Sequence, residues 1–365
     1  MISTDKNIFD ERSEVKQRMV EYGCLVEELH IIILNQSASR RAKLKISENT
    51  WIYPTNSRNK LFYIFDATKI GKKTVDSSGQ WLVTSQDPFE TGLVGWLIAR
   101  KAKTPLQIQI HTDFLSPYFV QHPKLNRLRV YIAKFLINRA NCVRVVSRRI
   151  KNSIIENYKL KIVNSAVIVL PIFVDAEKIQ QSPVSVDLRK KYLQFDFIIL
   201  MASRFTKEKN ILMAINAMSE VVKQYPKTGL VIVGDGPERE ALKLQITNYK
   251  LQNNVILDNW TNDLPSYYKT ADLFLLVSNY EGYGRTLIEA AAAGCNIISS
   301  DVGIADEVLE KENIFEPGNK EQLKEKIIKA IKGEIKMSNT LCLTKMPTKE
   351  QYLQAYKKSW ESCDF

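Results

Sequence analysis

Short apolar runs of strand length alternate with longer amphipathic stretches on both sides of residue 170. That rhythm restricts the chain to α/β folds, with helices packed on largely parallel sheets. In the first half the runs fall near 29–34, 81–85, 106–111, 142–147 and 166–170. In the second they fall near 197–202, 229–233, 254–257, 272–277, 296–300 and 313–315. A chain of 365 residues, 45% of them apolar, is long enough for two cores. Pro171-Ile-Phe-Val-Asp175, followed by the polar segment Gln180 to Asp187, reads as the link between them. The expected division is therefore 1–173 and 174–345, with 346–365 carrying a last helix over about 348–360.

The densest chemistry lies in Glu281-Gly-Tyr-Gly-Arg-Thr-Leu-Ile-Glu289, where two carboxylates with seven residues between them bracket a glycine turn. The run Ala271 to Val277 before it reads as a buried strand, and Leu287 to Ala293 after it as a helix. Gly282, Tyr283 and Gly284 thus lie at a strand-to-helix junction, where ligands of open α/β sheets bind. First-turn N–H groups there hold anionic oxygens, and glycines let a ligand approach the main chain. Phe197 to Ala202 is another apolar strand, and Arg204 and Lys209 leave its end together in Ser203-Arg-Phe-Thr-Lys-Glu-Lys-Asn210. Two cations so placed suit a ligand that develops negative charge. Leu230 to Val233 ends in Gly234-Asp-Gly-Pro237, with the proline set to open a helix. Val255 to Trp260 and Asn296 to Gly303 close two further strands.

These five segments, taken in chain order over about 110 residues, resemble the signatures of retaining GT-B glycosyltransferases, in particular family 4. The resemblance implies two Rossmann-like α/β domains facing across a cleft, an N-terminal acceptor-binding one and a C-terminal donor-binding one. It also implies that the last helix crosses back to pack on the N-terminal domain. It gives Glu281 to the donor sugar and Glu289 to the nucleotide ribose. Arg204 and Lys209 go to the leaving diphosphate, and the backbone of Gly284, Arg285 and Thr286 to sugar and phosphate. Gly234 joins the donor site, and Trp260 falls where the family lines its nucleobase pocket. The chain departs from the pattern at Ser203 and Asn210, which stand where the family's cation loop carries glycines, and at Phe173 in the link. There is no Asp-x-Asp pair to bridge a divalent ion to a diphosphate. The resemblance implies neither metal nor cofactor beyond the nucleotide-sugar substrate.

The N-terminal half is less decisive. Leu106 to Ile110 is a strand ending in His111-Thr-Asp113, and by the resemblance His111 faces the transferred sugar. His30 and His122 fit no motif. On the acceptor side, Asp87, Glu90 and Thr91 occupy a loop that opens a helix and carry groups suited to sugar hydroxyls. Ser13 lies in a first loop, Asp10-Glu-Arg-Ser13, that lacks the family's glycines, and Asp113 completes the set. Met1-Ile-Ser-Thr enters the expected first strand when that strand is nearly over, so either the start lies upstream or the sheet lacks a normal strand. The segment around Asp5, Lys6, Asp10, Glu11 and Arg12 is too charged for a signal peptide. No run approaches the roughly 18 apolar residues of a membrane span. Cys24, Cys142, Cys295, Cys342 and Cys363 are scattered without ligand spacing, and reduced thiols in a cytoplasmic protein are the expectation.

Charge is uneven. Residues 1–174 hold 27 Lys and Arg against 14 Asp and Glu, whereas 175–365 hold 25 against 26. Between Asp113 and Glu156 there is no acid, while nine basic residues run from Lys124 to Lys151. On a helix over about 124–139, Leu125, Leu128, Ile132, Phe135 and Leu136 form the expected core stripe. Lys124, Arg127, Tyr131 and Lys134 fall on another face. With Arg148 and Arg149, that face suits an anionic membrane surface, each cation contributing roughly 1 kcal/mol. Nucleic acid would suit the charge, but no recognition module accompanies it.

The reading is a retaining glycosyltransferase that moves a hexose from a UDP- or GDP-sugar to a glycan or lipid-linked acceptor, at the inner face of the membrane. Two alternatives stay open, a GT-B nucleotide-sugar epimerase and an inactive or donor-binding partner subunit of a glycosyltransferase complex. A nicotinamide-dependent dehydrogenase is set aside, because neither domain has G-x-G-x-x-G after its first strand.

Overall fold

The computed structural model describes residues 1–75, 79–121, 125–157, 166–335 and 346–363. The chain divides into two compact units, Met1–Pro171 with Lys349–Phe365, and Ile172–Thr348. Each is an α/β unit built on a largely parallel sheet.

The first unit holds eight strands: β1 (Ile2–Ser3), β2 (Leu29–Ile33), β3 (Leu44–Ser47), β4 (Thr50–Pro54), β5 (Val83–Ser85), β6 (Leu106–Ile110), β7 (Cys142–Val145) and β8 (Ala166–Val169). Their order is β3-β4-β2-β1-β5-β6-β7-β8, parallel throughout except for β3 on β4. The short β1 sits at the centre, Ile2 pairing with Ile32 on one side and Ser85 on the other. The Met1 ammonium donates to the His30 carbonyl (2.6 Å), and burial lowers its pKa to about 5. The β3–β4 hairpin was not among the expected strands, although Thr50-Trp-Ile-Tyr is a β-branched and aromatic run of strand type.

Strand β6 reads Leu-Gln-Ile-Gln-Ile, a pattern for one solvated face, yet all five residues are buried. The glutamine face lies under the helix Lys349–Glu361, which buries Tyr352, Tyr356 and Trp360 in this unit. Tyr356 stacks on Tyr22 at 4.1 Å between ring centroids. The same return of the chain corrects the expectation of reduced thiols. It brings Cys363 beside Cys142 of β7, Cα atoms 5.2 Å apart, and the two form a disulfide across 221 residues of sequence. Spacing along the chain carries no trace of such a pairing. Cys24 and Cys295 are free, and Cys342 lies outside the described residues.

The second unit holds β9 (Phe197–Ala202), β10 (Thr228–Val233), β11 (Val255–Asp258), β12 (Leu273–Leu276), β13 (Ile297–Ser300) and β14 (Ile314–Phe315). All are parallel, in the order β11-β10-β9-β12-β13-β14. Buried Ile199, Leu230, Ile232 and Leu275 face the helix Ile211–Gln224, whose Ile211, Ala214, Ile215, Met218 and Val221 recur at helical spacing. Burying each large aliphatic side chain stabilises by about 1.5–3 kcal/mol. The two central strands, β9 and β12, neighbour each other although β10 and β11 lie between them in sequence. From their carboxyl ends the chain runs to β10 on one side and to β13 on the other, the switch point at which a doubly wound sheet forms its ligand crevice.

Candidate active site

At that crevice the loops after β9 and β12 are tied together. Asn279 N–H donates to the Glu208 carbonyl (2.8 Å), and Asn210 Nδ2 to Asn279 Oδ1 (3.0 Å). Asn210 takes the left-handed conformation, φ 48° and ψ 36°. Asparagine tolerates that region better than most residues, so the turn forms without a glycine. The outcome is a contact between two of the expected site residues: Lys209 Nζ donates to Glu281 Oε1, which also accepts from Ser278 Oγ at 2.8 Å. The Lys209 and Glu281 side chains are only 15% and 14% exposed, a depth at which an ion pair must be well hydrogen-bonded to hold its charge. Arg204 is placed otherwise. It is 77% exposed, with Glu208 at 3.6 Å.

Four residues after Glu281, the helix Arg285–Ala292 begins behind Gly284, whose φ of 89° requires glycine. The N–H groups of Arg285 and Thr286 open this helix, in the first turn where no intrahelical acceptor exists. Gly282, Tyr283 and Gly284 are buried. Gly303, at φ 58°, lets the turn after β13 approach so closely that Ile304 N–H reaches the Tyr283 carbonyl at 3.0 Å. Glu289 lies one turn into the helix. Its Oε1 accepts from Arg285 Nε (2.6 Å), and its Oε2 from the buried Tyr268 hydroxyl (3.3 Å). Burial, and then the Glu289 carboxylate, push the Tyr268 phenol well above its usual range. Tyr268 was not among the expected site residues; in sequence it is one aromatic in a short amphipathic helix. Gly234, at φ 152°, places its Cα against the Ser203 carbonyl, which a Cβ would meet at 1.9 Å. It therefore joins the ends of β9 and β10. Trp260 stands 65% exposed beyond the end of β11.

In the first unit, His111 follows β6 and its Nε2 lies 3.2 Å from Gln109 Oε1. Burial, helped by Arg144 and Arg18, lowers its pKa to about 3, so the imidazole is neutral at physiological pH. Arg144 is itself buried, and no sequence signal marks it, since it sits inside an ordinary strand run. Several acceptor-side residues hold local structure. Ser13 Oγ accepts from Lys16 N–H (3.1 Å) and donates to the Asn7 carbonyl (2.5 Å), which caps a helix. Thr91 Oγ1, fully buried, bonds the Asp87 main chain, and Asp87 Oδ1 accepts from Phe89 N–H at 2.7 Å. Glu90 takes a forked bond from Arg129 at 2.8 and 3.0 Å. Burial raises the carboxyl pKa of both Asp87 and Asp113.

The basic helix runs Leu125–Ile137, and its inward face differs from the expected stripe. Asn126, Ala133, Leu136 and Ile137 are buried, whereas Leu125, Leu128 and Tyr131 are 50%, 54% and 72% exposed, and Phe135 is also exposed. Asn126 turns inward because its Nδ2 satisfies the buried Phe119 carbonyl (2.8 Å), and small Ala133 allows close packing. Arg127 and Arg148 are exposed, Lys134 and Arg149 half-buried, and Lys124 lies outside the described residues. Among the described residues no helix is long and apolar enough to cross a membrane, and no cluster of three metal-ligating side chains occurs.

Residues 187–341 match the model of the glycosyl transferases group 1. Among similar proteins is an alpha-monoglucosyldiacylglycerol synthase of Streptococcus pneumoniae, 29% identical over 239 residues. That match takes in 60% of this chain and about half, 51%, of the pneumococcal protein. The synthase of the same name from Acholeplasma laidlawii is 26% identical over 335 residues, covering 86% of this chain and 81% of that protein. Among solved structures, Anabaena HepE in complex with UDP superposes with a TM-score of 0.73 at 18% identity, covering 99% of this chain and 98% of that one. This last likeness is one of fold.

Proposed function

We propose that this chain, whose residues 187–341 match the group 1 glycosyl transferases, moves a hexose from a UDP- or GDP-sugar to a lipid-linked or glycan acceptor, with retention at the anomeric carbon. The observation that carries this reading is the Lys209–Glu281 pair at the sheet's switch point, one loop away from Glu289. An ammonium has three N–H bonds. One donated to Glu281 leaves two for phosphate oxygens, and Arg204 supplies a second cation from its exposed position beside the same loop. Together they stabilise charge on the departing diphosphate, in the role a metal plays in other nucleotide-dependent enzymes. Both bonds to Glu281 fall on Oε1, so Oε2 is turned to the sugar hydroxyls. Glu289, anchored by Arg285 and Tyr268, receives the ribose hydroxyls, Trp260 the base, and the first-turn amides after Gly284 the phosphate. By the resemblance, His111 is the sugar contact that the first unit supplies. Attack comes from the face the phosphate leaves, and the leaving phosphate takes the acceptor's proton.

The lipid side of the proposal rests on the outward face of Leu125–Ile137. Exposed Leu125, Leu128 and Tyr131 beside Arg127 make an apolar surface framed by cations, which suits the interface of an anionic bilayer. The pneumococcal and Acholeplasma relatives are named for a glucosylated diacylglycerol, and a membrane-resident acceptor fits that surface. Two measurements test the reading. Saturation-transfer NMR against UDP, GDP and ADP should show one nucleotide bound and that binding lost in Glu289→Ala. Absence of binding to all three would refute the donor site. Flotation with phosphatidylglycerol vesicles should carry the protein upward, and Leu128→Ser with Tyr131→Ser should leave it at the bottom.

A further inference from the structure

We propose that Gln109 and Arg144 are positioning residues that hold His111 as its Nε2–H tautomer, leaving Nδ1 as the nitrogen offered at the end of β6. The use of that nitrogen rests on the reading of His111 as a sugar contact; the tautomer does not.

The argument turns on groups that have only one hydrogen-bonding role. A guanidinium donates and never accepts. Arg144 Nη1 lies 2.8 Å from Gln109 Oε1, so the carbonyl end of that amide must face Arg144. His111 Nε2 lies 3.2 Å from the same oxygen, which can only accept, so Nε2 carries the proton. A second constraint, at the other end of the network, gives the same answer. The Ser359 carbonyl only accepts, and Gln107 Nε2 donates to it at 2.7 Å. Gln107 Oε1 is thereby turned to Thr84 Oγ1 at 3.0 Å, and the Thr84 proton must go to it. The lone pairs of Thr84 Oγ1 then face Gln109 Nε2 at 2.9 Å, which fixes that amide in the orientation Arg144 demands. Tyr356, whose hydroxyl accepts from Gln109 Nε2 at 3.1 Å, stacks under the guanidinium at 4.4 Å and covers the network.

Nothing about packing alone requires this arrangement. Arg144 is 2% exposed and donates to Gln109 Oε1, the Leu170 carbonyl and the Tyr352 hydroxyl, none of them a carboxylate. An apolar side chain in its place would avoid the cost of burying a charge. What Arg144 does that an apolar residue cannot is fix the sense of the Gln109 amide and keep the neighbouring imidazole neutral. The result is an Nδ1 that carries a lone pair, an acceptor for a sugar hydroxyl and not a donor to a sugar oxygen.

The chain has three histidines, so long-range proton–nitrogen correlation spectra of uniformly labelled protein resolve each ring, with His111 identified by its loss in His111→Asn. The expected result, with no substrate present, is a neutral ring protonated on Nε2, changing to a mixture of tautomers in Gln109→Met. An Nδ1–H ring in the native protein, or an unchanged Nε2–H ring in Gln109→Met, would overturn the proposal. Should Gln109→Met not fold, Gln109→Glu keeps the acceptor and is expected to retain the Nε2–H signature while raising the pH at which the ring protonates. A shift to Nδ1–H in that variant also overturns it. Because none of these spectra uses a nucleotide, failure of the glycosyltransferase reading is seen separately, as absence of nucleotide binding in the native protein.

Discussion

A Cβ added at Gly303 would lie 2.3 Å from the Tyr283 carbonyl oxygen, 2.8 Å from its carbonyl carbon and 3.2 Å from Glu281 Cβ. Ordinary contact begins at 3.4 Å, so Gly303→Ala forces the 281–284 turn to retreat by about 1 Å or break its bond to Ile304 N–H. The φ of 58° adds a left-handed cost of about 1–2 kcal/mol for alanine. Overpacking contributes about 1–3 kcal/mol more, for a sum of about 2–5 kcal/mol. For a unit of this size that lowers the midpoint of thermal unfolding by roughly 4–20 °C. Gly294→Ala is the control. Its φ is 77°, in the same region, but nothing lies within 4 Å of the added Cβ, so only the backbone cost of about 1–2 kcal/mol applies. The two variants should also part in function. A displacement of about 1 Å at a positioned site costs roughly a hundredfold in turnover, and Gly303→Ala should show it where Gly294→Ala does not. Scanning calorimetry and nucleotide titration of both proteins decide the matter. Equal unfolding temperatures together with native nucleotide affinity in Gly303→Ala would refute the claim that this glycine seats the donor turn.

Lys209→Ala and Arg204→Ala should each lower turnover by about 10²–10³-fold, but only Lys209→Ala should also destabilise the fold, because it strips the partner from a nearly buried carboxylate. Unfolding curves of the two proteins make the comparison. Tyr268→Phe should weaken nucleotide binding several-fold by loosening Glu289, with titration calorimetry as the readout and native affinity as the contrary result. The His111 pKa, lowered to about 3, sits below its unfolded value near 6.5. Between those limits the unfolded state holds the extra proton, so the stability contributed by neutral His111 is full above pH 6.5 and falls as pH drops through the window. Urea unfolding at pH 7 and pH 4.5 should show a smaller loss for His111→Asn than for the native protein. Thiol titration of denatured, unreduced protein should find two fewer reactive thiols than after reduction.

How far the sequence reaches depends on whether a feature is local. Lys209, Glu281 and Glu289 were legible because each sits at a strand end or in a glycine turn, features written within a few residues. That Lys209 touches Glu281 was not, since it follows from β9 and β12 being neighbours in the sheet. The helix Leu125–Ile137 shows a different limit. Apolar residues occur on two of its faces, and periodicity cannot choose between them; a buried Asn126 and a small Ala133 decided the inward one. Strand β6 alternates as a half-solvated strand does, and only a helix more than two hundred residues later removes the solvent. Arg144, Gln109 and the Cys142–Cys363 pair were hidden for the same reason.

The first unit is made from two stretches of chain, with the whole of the second unit encoded between them. On a ribosome, residues 1–171 emerge while the helix that covers Gln107, Gln109 and Arg144 has yet to be synthesised. At about 5–20 residues per second the intervening 172–348 take roughly 10–35 s to make. Domains fold as they appear, so the second unit is complete while a charged, amide-rich patch of the first still faces water. The polar character of that patch, costly once buried, keeps the waiting intermediate soluble: an apolar β6–β7 face left open for that interval would be a template for aggregation.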